Sequence, residues 1–216
     1  MRTVRLLLLI ALVLGSQVQA ALAERVVLFL GDSLTAGFGV EPEEAYPRLL
    51  GELLAHDGII DVRIVNGGIS GSTSASALSR LRWYSKIRPS VLFLALGAND
   101  GLRGLTIEEM ANNLAEVIEA AKQQGMSIIL AGMELPPNYG DDYTGRFRQV
   151  YRDLAERYGL TLIPFLLDGV GGVAHLNQAD GIHPTAEGHR RIARHVYPVL
   201  KAHLAAPQAN DPTRRP

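Results

Sequence analysis

The segment VVLFLGDS at residues 26–33 predicts the first strand of the fold and the turn that follows it. Five consecutive apolar residues, Val26 to Leu30, favour a strand that is covered on both faces. The turn Gly31-Asp32-Ser33 would then place a serine hydroxyl at the carboxyl edge of a sheet, where a nucleophile can stand. The same three residues are also common in ordinary turns and helix caps. Ser33 is therefore a candidate nucleophile whose assignment depends on the rest of the chain.

The length and composition of the chain fit one globular domain. Its 216 residues are enough for a single α/β domain with a full core and too few for two. Hydrophobic residues make up 47% and charged residues 20%, which argues against disordered and fibrous classes. The formal net charge is −1 and there is no long basic run, so nucleic acid is not an expected partner. We expect the domain to occupy residues 24–204 and the Pro-containing tail, residues 205–216, to be flexible.

The first 23 residues have the order of segments that is typical of a secretory signal peptide. Arg2 and Arg5 precede an apolar stretch over residues 6–14, and small residues follow at Ala20 and Ala23. The apolar stretch is short for a transmembrane helix, so we expect cleavage after Ala23 or Ala20, with an uncleaved membrane anchor as the alternative. The mature protein is then periplasmic or secreted, without a stable membrane span. Because the chain has no cysteine, disulfides, thiolate metal ligands and a cysteine nucleophile are excluded.

Apolar runs alternate with helical patterns along the chain. The segments between the runs carry apolar residues at helical spacing. One of them, Ser72–Trp83, predicts a helix with Ser72 or Thr73 as its cap, and a last helix is predicted from Thr185, with Pro198 as a kink or restart. This order predicts a three-layer α/β sandwich around a five-stranded parallel sheet, of flavodoxin-like type. Ligands of such sheets bind beyond the carboxyl ends of the strands. The four predicted strands after the first are Val62–Val65, Val91–Leu96, Ser127–Ala131 and Leu160–Phe165.

Three further segments carry residues that suit a catalytic site. Residues 66–73, which read NGGISGST, can aim backbone N–H groups at an anion, although this segment taken alone favours a flexible strand-to-helix turn. Asn99, within residues 97–101, can present an amide donor, and Asn-Asp-Gly is also a common turn sequence. Asp180, three residues before His183, can accept from one imidazole nitrogen and leave the other nitrogen as a base, and an aspartate and a histidine this close are equally compatible with an ordinary turn.

Metal binding and nucleotide binding are competing functions for these residues, and both have less support. Asp180 and His183 lack a third and fourth ligand at any familiar spacing, so we expect no metal site. Neither a Walker-type loop nor a Gly-x-Gly-x-x-Gly motif follows the first strand, so a nucleotide phosphate is not expected either. Of the remaining histidines, His175 lies in a loop and could line the site. Four others lie in helical patterns with polar neighbours, and we expect them to be solvated: His56, His189, His195 and His203.

The order of these blocks resembles that of the SGNH (GDSL) hydrolase family. The blocks are Gly31-Asp32-Ser33, Gly71, Asn99 and Asp180-x-x-His183, and together they span essentially the whole chain after residue 23. Their flanks narrow the resemblance to the periplasmic branch with acyl-CoA thioesterase, lysophospholipase and arylesterase activities. These flanks are residues 69–71, 99–104, 135–140 and 180–184.

The resemblance implies a role for each of the singled-out residues. Ser33 would be the nucleophile, His183 its general base and Asp180 the group that fixes the imidazole tautomer. The oxyanion hole would consist of the backbone N–H groups of Ser33 and Gly71 and the side-chain amide of Asn99. No cofactor and no metal are implied.

The resemblance also implies the substrates. A small-molecule ester or thioester, such as an aryl ester, an acyl-CoA or a lysophospholipid, would be hydrolysed through an acyl-enzyme by a monomer or weak oligomer. The loop at residues 136–140 resembles a mobile substrate-binding loop, with Pro137, Asn138 and Tyr139 as its contacts, and a rigid Pro-Pro turn is the alternative. Two other functions stay open: a carbohydrate O-acetyl esterase, and a non-catalytic periplasmic binding module of the same fold. Acyl-chain length and the natural leaving group are left open as well.

Overall fold

A five-stranded parallel sheet forms the centre of the computed structural model, which describes residues 24–206. The strand order is β2-β1-β3-β4-β5, so the chain moves outward from β1 to β2 and then returns to the other side of β1. This reversal creates a crevice between the carboxyl ends of β1 and β3, which is the usual ligand position in such sheets. The strands are β1 (Arg25–Gly31), β2 (Val62–Asn66), β3 (Val91–Ala95), β4 (Ser127–Ala131) and β5 (Thr161–Ile163).

Helices cover both faces of the sheet. On one face α2 packs on α7, and on the other α5 packs between α3 and α6. Within residues 24–206 no helix is both long and apolar enough to cross a membrane. The helices are α1 (Ser33–Ala36), α2 (Tyr46–His56), α3 (Ala77–Tyr84), α4 (Ala98–Leu102), α5 (Ile107–Gln123), α6 (Asp141–Tyr158) and α7 (Ala186–Ala205).

The apolar run that begins the domain forms the middle of the core. Residues 27–30 of β1 and 92–95 of β3 are fully buried, as expected for strands with helices on both sides. The rings of Phe29 and Phe93 stack at 4.5 Å between centroids, and Tyr46 from α2 meets Phe29 edge-on at 5.8 Å. The core therefore packs around the end of β1, and Ser33 lies two residues after that end.

Three local expectations differ from the structure. β5 ends at Ile163, two residues before the end of the predicted run, because Pro164 follows and has no N–H for the ladder. The helix expected from Ser72 begins only at Ala77, after a 3₁₀ turn at residues 74–76. α7 continues through Pro198, so the predicted restart is wrong.

His189 is buried, and the expectation that it is solvated is wrong. Its Nδ1 accepts the backbone N–H of Tyr46 at 3.3 Å, and burial lowers the pKa of its imidazole to about 4. A sequence signal for this burial existed. His189 precedes Ile192 by three residues and Val196 by seven, which places it on the apolar face of α7.

The proposed ends of the domain are only partly within the described residues. The predicted signal peptide, residues 1–23, lies outside them, and so do residues 207–216 of the predicted tail. α7 reaches Ala205, one residue past the predicted domain end. The signal peptide and the flexible tail therefore stay predictions.

Candidate active site

Ser33 lies two residues after the end of β1 and is the first residue of α1. Asp32 is the N-cap of this short helix, and its Oδ1 accepts the backbone N–H of Leu34 at 3.0 Å. The N–H of Ser33 lies in the first turn, where the helix offers no acceptor of its own. Ser33 is 8% exposed and lines a cavity, so its hydroxyl faces a space that a small molecule can enter.

The loop after β2 lies directly against α1. A Cβ on Gly68 would come within 2.2 Å of the backbone nitrogen of Ala36, so only glycine permits this approach. Arg80 of α3 ties the two strand ends together, because its Nη2 donates to the carbonyl of Gly31 at 2.8 Å and also to the carbonyl of Gly67. These contacts bring the segment that contains Gly71 to the side of Ser33.

A continuous path of hydrogen bonds joins Asp180, His183 and Ser33. Asp180 Oδ2 lies 2.7 Å from His183 Nδ1, and His183 Nε2 lies 2.9 Å from Ser33 Oγ. Asp180 Oδ1 accepts the backbone N–H groups of Ile182 and His183, both at 3.0 Å, which folds the loop back on the carboxylate. The structure thus brings together three residues that the chain separates by up to 150 positions.

The ionisation of Asp180 determines which nitrogen of His183 carries the proton. The hydrogen bond from His183, together with the two backbone N–H groups, lowers the pKa of Asp180 to about 2. An ionised carboxylate only accepts, so the proton between the two groups belongs to His183 Nδ1. Nε2 is then the acceptor for the Ser33 hydroxyl. This arrangement can remove the hydroxyl proton during attack on a carbonyl.

Asn99 and Gly71 lie near Ser33 on neighbouring strand ends. Asn99 belongs to α4, which follows β3, and its Nδ2 donates one N–H to the carbonyl of Ser72 at 3.0 Å. Each amide NH₂ has two hydrogens, so the second remains for a ligand. Ser33, Gly71 and Asn99 all line the same cavity.

The cavity beside Ser33 has a volume of about 660 Å³ and is mostly apolar. This size is within the range of about 300–1,000 Å³ that is common for small-molecule sites. Its apolar wall comes largely from the segments after β4 and β5, at the carboxyl edge of the sheet. Contributing residues include Leu102, Met133, Leu135, Phe165, Leu167 and Ile182.

A family comparison identifies this site's relatives. The model of the GDSL-like lipase/acylhydrolase family matches residues 29–191, which is about three quarters of the chain. The chain belongs to this family. The matched region of this GDSL hydrolase includes Ser33, Asn99 and the Asp180–His183 pair.

Characterised relatives of the GDSL hydrolase are esterases. The esterase TesA of Pseudomonas aeruginosa is 41% identical over 89% of this chain and 94% of its own length. An arylesterase of Vibrio mimicus is 37% identical over 86% and 92%, respectively. The thioesterase 1/protease 1/lysophospholipase L1 of Escherichia coli is 34% identical over 80% and 82%. The GDSL hydrolase is therefore an enzyme that hydrolyses ester bonds.

Solved structures share its fold. A crystal structure of TesA superposes with a TM-score of 0.80 at 40% identity and covers 82% of this chain and 99% of that one. The esterase EstA of Pseudoalteromonas, inhibited by monoethylphosphonate, also gives 0.80, at 31% identity, over 84% and 100%. The predicted family, fold class and esterase class are thus confirmed. The roles of individual residues stay predictions.

The loop predicted to bind substrate divides into two parts. Pro136 and Pro137 line the cavity of the GDSL hydrolase, whereas Asn138 and Tyr139 are not among the described residues that line it. The Tyr139 hydroxyl donates to the carbonyl of Leu102 at 2.8 Å and thereby fastens the loop to α4. Substrate contact by Asn138 and Tyr139 stays a prediction.

Two residues at the site are not among those predicted from the sequence. The Phe38 ring lies 4.6 Å from the His183 ring, centroid to centroid, and covers one side of the imidazole. Gln178 Nε2 donates to the carbonyls of Phe38, at 2.7 Å, and Pro184, at 3.0 Å, so it joins the two loops. Neither residue lies in a recognisable pattern. By contrast, the apolar residues after β4 and β5 could have been found from the rule that ligands bind at strand carboxyl ends.

A buried carboxyl lies next to the nucleophile. Asp32 is 1% exposed, and its Oδ2 has no hydrogen-bond partner among residues 24–206. Burial raises the pKa of Asp32 from 3.8 to about 6. The folded protein therefore holds this proton more tightly than the unfolded chain does. The contribution of Asp32 to stability falls as pH rises from about 4 to about 6 and stays lower above that window.

Asp32→Asn should remove this pH dependence. The asparagine Oδ1 keeps the cap on Leu34, and any cost of its buried NH₂ is the same at every pH. Between pH 5 and pH 8 we expect the free energy of unfolding of the variant to rise relative to the wild type by about 1 kcal/mol. Urea unfolding of both proteins at the two pH values measures this. An equal pH dependence in both proteins would contradict a raised pKa at Asp32.

Among residues 24–206 no group of three or more histidine, aspartate and glutamate side chains is arranged to hold a metal ion.

Proposed function

We propose that Ser33, His183 and Asp180 are the catalytic triad of this ester hydrolase. The observation that carries the proposal is the unbroken hydrogen-bond path from Asp180 through His183 to Ser33, at the wall of an apolar cavity. A serine hydroxyl is a weak nucleophile unless an adjacent base accepts its proton, and the path supplies that base in the required tautomer.

The proposed reaction has two halves. Ser33 Oγ attacks the ester carbonyl while His183 Nε2 takes the hydroxyl proton, and Asp180 stabilises the imidazolium that forms. The tetrahedral intermediate collapses, and the leaving alcohol or thiol receives the proton from Nε2. A water molecule, deprotonated by His183, then attacks the acyl-enzyme and releases the carboxylic acid and Ser33.

The oxyanion that develops during each half needs hydrogen-bond donors. The backbone N–H groups of Ser33 and Gly71 and the free N–H of Asn99 Nδ2 are our proposed donors. All three residues line the cavity. Fixed donors of this kind stabilise the developing charge without reorganising, and removal of one typically lowers kcat by about 10²- to 10³-fold.

The cavity favours substrates with an extended apolar acyl group. Leucine, methionine, proline and phenylalanine side chains form most of its wall, and such side chains make no hydrogen bonds to the hydroxyl groups of a sugar. The relatives include an arylesterase and a thioesterase/lysophospholipase, which supports aryl esters, acyl thioesters and lysophospholipids as candidate small-molecule substrates. A carbohydrate O-acetyl esterase, the second function considered, removes only an acetyl group and would need a smaller acyl site.

Acyl-chain length should control the rate. Each methylene buried in the cavity contributes about 0.8 kcal/mol, so kcat/KM should rise about two- to fourfold per added methylene from acetyl onward, until the cavity is full. A series of 4-nitrophenyl esters from C2 to C16 measures this. A maximum at the acetyl ester, with higher activity on acetylated sugars, would support the deacetylase instead.

The triad is tested by covalent labelling. The purified chain is treated with a fluorophosphonate, and the labelled peptide is identified by mass spectrometry, with Ser33→Ala as control. We expect labelling at Ser33 that disappears in the variant. The inhibition of the relative EstA by a phosphonate supports the choice of probe. A folded wild-type sample that takes up no label would overturn the proposal and favour a binding module.

We also propose that the enzyme works outside the cytoplasm. The charged, apolar and small segments of residues 1–23 support this. N-terminal sequencing of the mature protein from its native host tests it. A mature chain that begins at Ala21 or Glu24 is the expected result, and a chain that keeps Met1 would contradict it.

A further inference from the structure

The loop that carries Gly71 is tied to α4, the helix that carries Asn99. Asn99 itself holds the carbonyl of Ser72 at 3.0 Å. Arg103, which follows α4 directly, donates from Nη2 to the carbonyl of Gly71 at 2.9 Å. Two of the proposed oxyanion donors are therefore linked through the backbone of this loop.

Asp100 makes the most enclosed of these links. Its side chain is 3% exposed, and both carboxylate oxygens accept from one residue. Oδ2 accepts the backbone N–H of Ser74 at 2.8 Å, and Oδ1 accepts the Ser74 hydroxyl at 2.5 Å. Asn113 of α5 donates to the same hydroxyl oxygen at 3.0 Å, so the Ser74 hydroxyl both donates and accepts a hydrogen bond. Such short bonds to a buried carboxylate are strong and directional.

Asp100 does not line the cavity, so it touches no substrate there. Its only side-chain partner among the hydrogen bonds of residues 24–206 is Ser74, three residues after Gly71. It also follows Asn99 directly in α4. A displacement of Ser74 would therefore move the Gly71 N–H relative to the Asn99 amide.

We propose that Asp100 is a positioning residue for the oxyanion hole. By holding Ser74, it sets the distance between the Gly71 N–H and the Asn99 amide, so that both reach the same oxygen. This inference rests on the proposed function of those two donors. Donors act when they lie about 2.7–3.1 Å from the developing oxyanion, and a misplacement of about 1 Å can lower a rate by about 10²-fold. The arrangement acts on kcat, because the donors bind the transition state more tightly than the substrate.

Asp100→Asn is the principal test. Asparagine has nearly the same shape, but its NH₂ group must face either the Ser74 N–H, which cannot accept, or the Ser74 hydroxyl, which must then turn its proton away and lose its present bond. We expect kcat on a 4-nitrophenyl ester to fall by about 10- to 100-fold, while KM stays within about threefold. Ser74→Ala removes only the hydroxyl contact and should lower kcat less. Because the two residues act through one contact, the double variant should lose little more than Asp100→Asn alone.

Tyr151→Phe is the matched control. It also removes a buried hydrogen bond at this edge of the sheet, from the Tyr151 hydroxyl to the carbonyl of Leu96 at 3.0 Å. Among the hydrogen bonds of the described residues, Tyr151 makes none with residues 71–74. Its kcat should stay within about threefold of the wild type. An equal loss of kcat in Tyr151→Phe would overturn the proposal, because the removal of any buried hydrogen bond at this edge would then explain the effect of Asp100→Asn. Full kcat in folded Asp100→Asn, or an effect on KM alone, would overturn it as well.

Asn99→Ala separates this inference from the function on which it rests. We expect it to lower kcat by about 10²- to 10³-fold. Full kcat in Asn99→Ala would refute the oxyanion assignment itself. A large loss in Asn99→Ala, together with full activity in Asp100→Asn, would refute only the positioning role. If Asp100→Asn does not fold, Ser74→Ala is the test variant. A drop in its kcat of at least about threefold at unchanged KM supports the proposal, and an unchanged kcat overturns it.

Discussion

His183→Ala should lower kcat on an aryl ester by about 10⁴-fold or more, and Ser33→Ala should cause a loss of similar size. The two residues share one proton transfer, from Ser33 Oγ to His183 Nε2 across 2.9 Å, so neither can act without the other. The double variant should therefore be no slower than the worse single variant. Steady-state rates of all three, on one 4-nitrophenyl ester, measure this.

His175→Ala is the control for His183. His175 is exposed in a neighbouring loop and is not among the described residues that line the cavity, so its loss should leave kcat within about twofold. Additive losses in the Ser33 and His183 variants would mean that the two side chains act in separate steps. That result would contradict the triad even if each single variant were inactive.

Asp180→Asn should lower kcat by up to about 10⁴-fold without unfolding the protein. The asparagine Oδ1 can still accept the backbone N–H groups of Ile182 and His183, so the loop keeps its shape. Its NH₂, however, faces His183 Nδ1 and donates to it, which forces the ring proton onto Nε2. With that proton in place, Nε2 cannot accept from Ser33. Rates of the folded variant, checked by circular dichroism, measure the effect.

Asp61→Asn is a matched control for Asp180. Asp61 likewise accepts a side-chain hydrogen bond, from Arg25 at 3.0 Å, but lies at the opposite edge of the sheet, before β2. We expect it to leave kcat unchanged. A fully active Asp180→Asn variant would show that His183 finds its tautomer without the carboxylate, and Asp180 would then lose its proposed role.

Much of this fold follows from local patterns in the chain. The apolar runs at residues 26–30, 91–96 and 127–131 predict buried parallel strands, because a strand with helices on both faces has no polar side to expose. The small and polar residues after the first three strands are also visible in the sequence. Parallel strands bring their carboxyl ends to one edge of the sheet, so these residues must converge.

Short local blocks in the chain are enough to predict the fold class and the family, and to select Ser33, Asn99, Asp180 and His183 as candidates, since each residue lies in a block with its own local geometry. The surroundings of these residues follow from the packing of distant elements instead. The ring contact between Phe38 and His183 joins residues that are far apart in the chain. The hydrogen bonds between Asp100 and Ser74 do the same. Such contacts depend on how whole elements pack, and packing energies are shared among many residues, so no local spacing records them.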